Sequence, residues 1–392
     1  MEGKHMYFEV FQITYWFSFS VLLFFYLSYF LVLYYHHKKK EKVEGSSEFY
    51  PSVSLIIPVY NEEKIVPKKI QNINELNYPR ERMEAVFVDG CSTDNTADII
   101  ETCSKNRDGF VRLIREKQRG GYNSAICEGV LKSHGDIIVM SDAGAYFDPE
   151  ALKYLVGHFV DPMVGAVTGK EMVLGDPGAL GPRLESTYRG FYDFMRTAET
   201  RMDSTPDSKG EILAVRRKIC ENLTQRIHLS PSASFDCCIP YQAKLEGYRT
   251  VFEPKAVYYE YAPSSFTDRM RQQIRRAAIL MGSLLLFRDM IMNKKYGKFG
   301  LVIAPVHFVM QVILPWLFML GCISLLITTA MDPASTVVIW ALLLSTAVLV
   351  SLKNRAFLLS FIQSQLALVI ATLRVATKRN SVIIDTIAST RK

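Results

Sequence analysis

The chain has 392 residues, of which 49% are hydrophobic, and a formal net charge of +7. This length allows one large domain with membrane segments, and the mild charge without a basic-aromatic motif argues against a nucleic-acid partner. Seven cysteines without a C-x-x-C pair predict neither a disulfide framework nor a zinc site.

The first predicted element is a membrane helix. Residues 13–35 are almost wholly apolar and uncharged, a length that crosses a hydrocarbon core of about 30 Å. Two histidines and three lysines follow instead of a small-residue cleavage site, which favours a retained anchor over a signal peptide. By the positive-inside rule, we expect residues 1–45 to anchor a cytoplasmic domain in the cell membrane.

Residues 46–265 have the alternating pattern of an α/β domain. Apolar runs predict buried strands and polar stretches predict helices: strands 53–57 (stopped by Pro58), 83–88 and 137–140, and helices 96–105 and 123–132. This alternation predicts a mostly parallel sheet that binds ligands at the carboxyl ends of its strands. Asp89, Asp94 and Asp142 follow strand ends. One such aspartate is ordinarily a turn former, but three at equivalent positions favour a ligand site.

The last third of the chain predicts membrane-associated helices. Residues 266–300 contain arginines among helically spaced apolar residues, which predicts a basic amphipathic helix on a membrane surface; a buried helix with a charged face is the alternative. In the C-terminal region, 301–392, apolar runs at 301–330 and 336–352 predict a hairpin of spanning helices. Lys353 and Arg355 return the chain to the cytoplasm. Because Lys378 and Arg379 follow residues 356–373, we expect an interfacial or re-entrant helix there.

Two motifs follow the first two strands of the middle region. One is S-L-I-I-P-V-Y-N-E at 54–62, and the other is V-D-G-C-S-T-D-N-T at 88–96. Together they resemble the family 2 glycosyltransferases, which have the GT-A fold, and the resemblance extends over about 51–281. The flanking helices make the layout similar to the membrane synthases of cellulose, hyaluronan and poly-N-acetylglucosamine. The resemblance implies a glycosyltransferase that uses a nucleotide-sugar donor.

The resemblance also implies which residues bind the donor. Pro58, Tyr60, Glu62, Asp89 and Asp94 would hold the nucleotide, with a carboxylate accepting the N–H of a uracil, so a UDP-sugar is the expected donor. Gly121 lies in G-G-Y-N-S-A at 120–125, where the family has a Gly-Lys-Ala segment and this chain has Tyr122 for the lysine. Backbone N–H groups there could meet phosphate oxygens, and a plain flexible turn is the alternative.

Asp142 stands at the first position of the family's D-x-D metal motif, and Gly144 replaces the second acid. A divalent cation, Mg²⁺ or Mn²⁺, needs only one or two protein carboxylates beside substrate phosphates. We therefore expect a weakly bound metal at Asp142. Asp148 precedes Pro149-Glu150, which favours a helix N-cap over a metal ligand.

Catalytic residues follow from the same resemblance. Ser-Phe-Asp at 234–236 stands where the family has T-E-D, which makes Asp236 the general base. In Q-Q-I-R-R at 272–276, Gln272 and Arg275 match Q-x-x-R-W, and Arg276 replaces the tryptophan, which argues against assuming a long polymer product. Arg275 could neutralise the leaving diphosphate. Residues 208–217 resemble a stretch near the acceptor.

The expected reaction is inverting transfer of a sugar to a hydroxyl of a membrane-associated glycan or glycolipid, with membrane lipids as further partners. Two alternatives stay open at this point. A polyprenyl phosphate acceptor would need no base, because it is already anionic near neutral pH. A non-catalytic assembly subunit is favoured by Gly144 and Arg276.

Overall fold

The computed structural model describes residues 2–39, 45–46, 48–105, 110–174, 180–261 and 265–377. The predictions for Lys40, Lys378 and Arg379 fall on residues outside that part. Within it, the middle of the chain forms one mixed sheet covered by helices. Long apolar helices lie on either side of it, within residues 2–37 and 299–376.

Eight strands form a single sheet in the order β3-β2-β1-β4-β7-β6-β8-β5. The strands are β1 (Val53–Val59), β2 (Met83–Asp89), β3 (Val111–Arg115), β4 (Ile137–Met140), β5 (Tyr146–Phe147), β6 (Val164–Leu174), β7 (Leu213–Arg216) and β8 (Arg249–Tyr261). Strands β1 to β4 are parallel, β7 runs antiparallel to both neighbours, and β8 pairs parallel with β6 and antiparallel with β5. The mostly parallel α/β sheet predicted from the sequence is confirmed.

Twelve α-helices lie in the described residues. They are α1 (Glu2–His37), α2 (Val66–Asn74), α3 (Thr96–Lys105), α4 (Tyr122–Lys132), α5 (Ala151–Gly157), α6 (Leu180–Met202), α7 (Arg217–Thr224), α8 (Phe235–Leu245), α9 (Phe266–Leu286), α10 (Ala304–Phe308), α11 (Leu314–Met331) and α12 (Pro333–Ala376). Two π-helical turns, Phe299–Ile303 and Val309–Ile313, flank α10 and join it to α11. Helices cover both faces of the sheet, so every residue of β4 is buried.

Strand β1 does not stop at Pro58 as predicted but continues to Val59. The reason lies in its two neighbours. Pairing with β4 ends at Ile56, whereas pairing with β2 extends to Val59. Proline lacks only a donor, so it is tolerated where one side of the strand is already unpaired.

Within the part of the chain that the structure describes, three segments are long and apolar enough to cross a membrane: His5–His37, Phe299–Met331 and Leu358–Ala376. The predicted break after the second span is confirmed at Asp332, whose side chain caps α12 by accepting the Ala334 N–H. The interfacial or re-entrant helix predicted at 356–373 is not a separate element, because α12 runs unbroken for 44 residues and its part Leu358–Ala376 is long and apolar enough to cross a membrane. At 1.5 Å per residue α12 is about 66 Å long, roughly twice the hydrocarbon core.

Helix α9, predicted to lie on a membrane surface, is largely enclosed by protein. It packs against α8 and α12, and ten of its residues are buried, including Arg269 and Gln272. Arg269 is only 1% exposed; it forms an ion pair with Glu185 at 3.2 Å and a hydrogen bond to Gln363 of α12. The alternative, a buried helix with charged residues, describes this element. The exception is Arg271, which is exposed.

Candidate active site

The loops after β1 and β2 meet at the carboxyl edge of the sheet and are joined by hydrogen bonds. The Asn61 N–H donates to Ser92 Oγ (2.9 Å), and the Thr93 N–H donates back to Asn61 Oδ1 (2.8 Å). The Glu62 N–H donates to the Thr96 hydroxyl at 2.7 Å. The structure therefore brings together the segments that carry Pro58, Tyr60, Glu62, Asp89 and Asp94.

Asp89 and Asp94 differ in what they bind. Both Asp94 oxygens accept from the protein, Oδ1 from the Thr96 N–H (3.0 Å) and Oδ2 from the Glu63 N–H (3.2 Å). Burial raises the pKa of Asp94, but these hydrogen bonds outweigh it and hold that pKa below its usual value. Asp89, at the end of β2, is buried, and among the described residues its carboxylate accepts only the Ser92 N–H, at 3.3 Å to each oxygen. Asp94 thus shapes the loop, and Asp89 keeps capacity for a ligand.

Tyr60 and Gly121, which were also predicted to bind the nucleotide-sugar donor, have the following surroundings. The Arg119 guanidinium lies 3.7 Å from the centre of the Tyr60 ring, a cation–π contact that brings a positive charge to the predicted nucleotide site. Gly121 is the N-cap of α4 with a φ of 80°, a conformation that glycine adopts without strain. The predicted turn and helix start at 120–125 is therefore present, and α4 begins one residue earlier than predicted.

A cavity lies beside these loops and contains most of the predicted catalytic residues. It is lined by Tyr122, Asp142, Arg189, Tyr192, Asp207, Ser208, Lys209, Gly210, Glu211, Ser234, Asp236, Cys237, Arg275, Arg276, Ile279 and Leu280. Three residues predicted from separate motifs, Asp142, Asp236 and Arg275, therefore share one cavity. Gln272 does not line it; it is buried one turn earlier on α9.

Asp236 is held at the start of α8. The Ser234 hydroxyl donates to its Oδ1, and the Ser208 hydroxyl donates to its backbone carbonyl at 2.7 Å. Burial raises the pKa of Asp236; the Ser234 hydrogen bond opposes this rise, and the Glu211 carboxylate adds to it. A carboxylate with a raised pKa and a fixed orientation is suited to accept a proton.

Asp142 lies just after β4, on a loop that is held in place by hydrogen bonds from Lys69. The Lys69 ammonium is fully buried and donates to Ser141 Oγ (2.7 Å) and to the Ala145 carbonyl. Burial lowers the pKa of Lys69 to about 7, and the Asp142 charge opposes the shift. Lys69 was not predicted as a site residue, because nothing in its local sequence distinguishes it from a surface lysine of α2. Asp148 accepts the Glu150 N–H at 3.1 Å, but it is not the helix N-cap that the sequence predicted, because α5 begins at Ala151 and its N-cap is Glu150.

Helix α9 adds charge to the cavity. Arg275 Nε is buried and has no hydrogen-bond partner among the described residues. Arg276, which replaces the family's tryptophan, instead forms ion pairs with Glu185 (3.4 Å) and Glu211 (3.5 Å). The pairing of Arg276 with these two carboxylates was not predicted either. Glu185 lies 91 residues before Arg276 in the sequence (276 − 185), and Glu211 lies 65 residues before it (276 − 211).

Residues 208–217 were predicted to lie near the acceptor, but only the first part of this segment lies at the cavity. Its first residues line the cavity, but β7 runs antiparallel to β4 and carries Arg216 to the opposite edge of the sheet. There Arg216 donates to the Val164 carbonyl at 2.7 Å, and Arg217 donates to the Gly135 carbonyl at 2.6 Å. The two arginines stabilise the fold and do not contact the cavity.

Comparison with known proteins agrees with this arrangement. Residues 54–224 match the profile of Glycosyl transferase family 2. The chain is 23% identical over 304 residues to poly-beta-1,6-N-acetyl-D-glucosamine synthase of Staphylococcus aureus, covering 76% of this chain and 69% of that protein. It is 29% identical over 232 residues to the probable glycosyltransferase YdaM of Bacillus subtilis, covering 58% of this chain and 54% of that one.

A solved structure extends the similarity to the membrane helices. The mannosyltransferase PcManGT of Pyrobaculum calidifontis, in complex with GDP-Man and Mn²⁺, superimposes with a TM-score of 0.78 at 24% identity. The match covers 94% of this chain and all of that one (100%), so the two share one fold throughout. The GT-A fold with apolar helices at both ends is thereby confirmed. These similarities indicate a glycosyltransferase in which residues 54–224 match the family 2 model.

Proposed function

We propose that this protein is a membrane-embedded, inverting glycosyltransferase. It takes a sugar from a nucleotide-sugar donor and transfers it to a hydroxyl of a membrane-associated glycan or glycolipid. The observation that carries the proposal is the shared cavity of Asp142, Asp236 and Arg275 at the carboxyl edge of the sheet. Ligands bind at this edge in open α/β sheets.

In the proposed reaction, Asp236 accepts the proton of the acceptor hydroxyl. The acceptor oxygen attacks the anomeric carbon and forms the new glycosidic bond while the bond from that carbon to the phosphate oxygen breaks. The nucleoside diphosphate leaves with the electron pair. Arg275, whose Nε has no protein partner among the described residues, is placed to offset the charge of the leaving group.

The cavity fits a divalent cation through Asp142. Among the described residues no group of three or more His, Cys, Asp or Glu side chains forms a metal site, so Asp142 would be the main protein ligand. Mg²⁺ and Mn²⁺ bound with substrate phosphates need only one or two carboxylates, and such an ion would neutralise the diphosphate when bound. Lys69 fixes the loop that presents this ligand.

The charges of the cavity favour an uncharged acceptor group over a phosphate. Arg189 is paired with Glu171 (2.9 Å), and Lys209 with the same carboxylate (3.5 Å). Arg276 is paired as described above, which leaves Arg275 for the donor diphosphate. A phosphate acceptor would require a second available cation. The cavity wall also includes Ile279 and Leu280 of α9, a helix that packs on α12, which supports delivery of the acceptor from the membrane side.

The donor nucleotide would be recognised by Asp89. A carboxylate can accept the imide N–H of uracil, and equally the N1–H of guanine. We propose uridine as the base, with guanosine as the alternative that GDP-Man in the PcManGT complex keeps open. Lys38 and Lys39 follow α1, which supports a cytoplasmic catalytic domain, on the side where nucleotide sugars are available.

The test uses the full chain, purified in detergent and supplied with Mn²⁺ and a panel of UDP- and GDP-sugars. We expect slow donor hydrolysis without acceptor and faster sugar transfer when membrane lipid extract is added. Hydrolysis without any lipid-linked product would remove the membrane acceptor from the proposal. Absence of both hydrolysis and nucleotide binding would favour the assembly-subunit alternative.

A further inference from the structure

The phenol of Tyr122 is a buried polar group that the proposed reaction leaves unused. Tyr122 is the first residue of α4 and lines the cavity. Its hydroxyl is buried and has no hydrogen-bond partner among the described residues. An unsatisfied buried hydroxyl costs about 1–3 kcal/mol, a cost that a ligand oxygen would remove.

The position of this hydroxyl is fixed beside the general base. A Cβ atom built on Gly210 would lie 2.6 Å from Tyr122 Oη and 2.7 Å from Asp236 Oδ2, so both groups converge over this glycine. The next residue, Asn123, joins the start of α4 to the segment that carries Asp236. Its Nδ2 donates to the Ala233 carbonyl (2.9 Å), and its Oδ1 accepts the Phe235 N–H (2.9 Å).

The chemistry of the surroundings restricts what Tyr122 can bind. Burial raises the pKa of Tyr122 well above its usual value, and the carboxylates of Asp236, Asp142 and Glu211 add to that rise. The phenol is therefore a neutral hydrogen-bond donor. Arg275 already offers an unpaired cationic donor suited to phosphate. A neutral hydroxyl next to a base suits a sugar hydroxyl, which can accept one hydrogen bond and donate another.

We propose that Tyr122 Oη donates a hydrogen bond to a hydroxyl of the transferred sugar in the cavity that Asp142 and Asp236 line. This makes Tyr122 a sugar-recognition residue rather than a diphosphate ligand. The inference rests on the proposed function, because it assumes that the donor sugar occupies this cavity. It assigns the contact to the sugar alone, so nucleotide binding and nucleotide-sugar binding must respond differently to its loss.

The experiment measures calorimetric affinities of Tyr122→Phe, of Tyr248→Phe and of wild type, all as the full chain with Mn²⁺. The probes are UDP and GDP, each alone and as its glucose, N-acetylglucosamine and mannose derivatives. Tyr248 is a matched control because it packs against the core of the same domain outside the cavity lining. We expect Tyr122→Phe to weaken binding of the preferred nucleotide sugar about 3- to 10-fold and to leave the free nucleotide unchanged. The ligand-free melting temperature should not fall, since an unpaired buried hydroxyl is removed.

The outcomes separate the inference from the proposed function. Equal weakening of nucleotide and nucleotide sugar in Tyr122→Phe would overturn the inference, since it indicates a phosphate contact or a structural role. Unchanged affinity for both would overturn it as well. If wild type binds none of the probes, the proposed function fails first and the inference fails with it.

Discussion

The loops after β1 and β2 and the cavity both contain polar side chains, but these side chains differ in whether they are hydrogen-bonded within the protein. In the loops after β1 and β2, Asn61 and Asp94 are hydrogen-bonded to backbone groups of the neighbouring loop. In the cavity, Tyr122 Oη and Arg275 Nε are buried without such partners among the described residues. Because an unpaired buried polar group is costly, the paired loop residues stabilise the fold, and the two unpaired groups of the cavity are where we expect a ligand to complete the site.

The largest effect is expected for Asp236, the proposed general base in the cavity. Asp236→Asn keeps the size of the side chain but cannot take a proton, so we expect sugar transfer to fall about 10²- to 10⁴-fold. Donor affinity, measured by calorimetry on the same preparation, should stay within about 3-fold of wild type. Transfer at close to the wild-type rate would show that Asp236 is not the base. A small loss would favour a phosphate acceptor.

A second change breaks the convergence of Tyr122 and Asp236. The Cβ of Gly210→Ala would approach both groups to 2.7 Å or less, and overpacking of this kind costs about 1–3 kcal/mol. If that cost falls on the catalytic geometry, transfer should drop about 10-fold or more. Gly190→Ala on α6 is the matched control, because a Cβ there meets nothing within 4 Å. Equal activity of the two variants would contradict the predicted crowding.

The donor loops can be tested by two aspartates that look alike in the sequence. Asp89→Ala should weaken nucleotide binding by about 1.5–3 kcal/mol, with little change in melting temperature, because a charged hydrogen bond to the base is lost. Asp94→Ala should mainly lower the free energy of unfolding, by about 0.5–1.5 kcal/mol for each of the two backbone hydrogen bonds that its carboxylate accepts. Calorimetry and thermal unfolding of both variants provide the check. The opposite pattern would reverse the roles assigned here.

The local sequence was sufficient to predict the bounds of an element when those bounds depend on the residues of that element alone. The bounds of α3 and β4 were predicted to the residue, since each is a short, uninterrupted run between turn-forming residues. Helix α12 was divided wrongly, because Lys353 and Arg355 were taken as a stop although helix hydrogen bonds continue through charged residues.

Contacts between distant residues were not predictable in this way. The ion pairs of Arg276 and the anchor made by Lys69 depend on partners far away in the chain. Asp142 was identified both by its place after a strand end and by a family motif, whereas Asp236 and Arg275 were placed only because family motifs identified them. An unpaired hydroxyl such as that of Tyr122 is visible only once the whole neighbourhood is known.

The smallest expected effect concerns pH. Asp236 acts as a base only when it is ionised, and burial raises its pKa, so transfer should decline as the pH falls through a pKa higher than that of an ordinary aspartate. Lys69 titrates in the opposite sense: it loses its charge as the pH rises through about 7, which would loosen the Asp142 loop and affect the alkaline limb instead. The measurement is kcat/KM against pH for wild type and Lys69→Met. If the Lys69→Met variant loses the alkaline limb and keeps the acid limb unchanged, the alkaline limb belongs to Lys69 and the acid limb to Asp236. If the variant alters the acid limb, Asp236 is not the group that controls it.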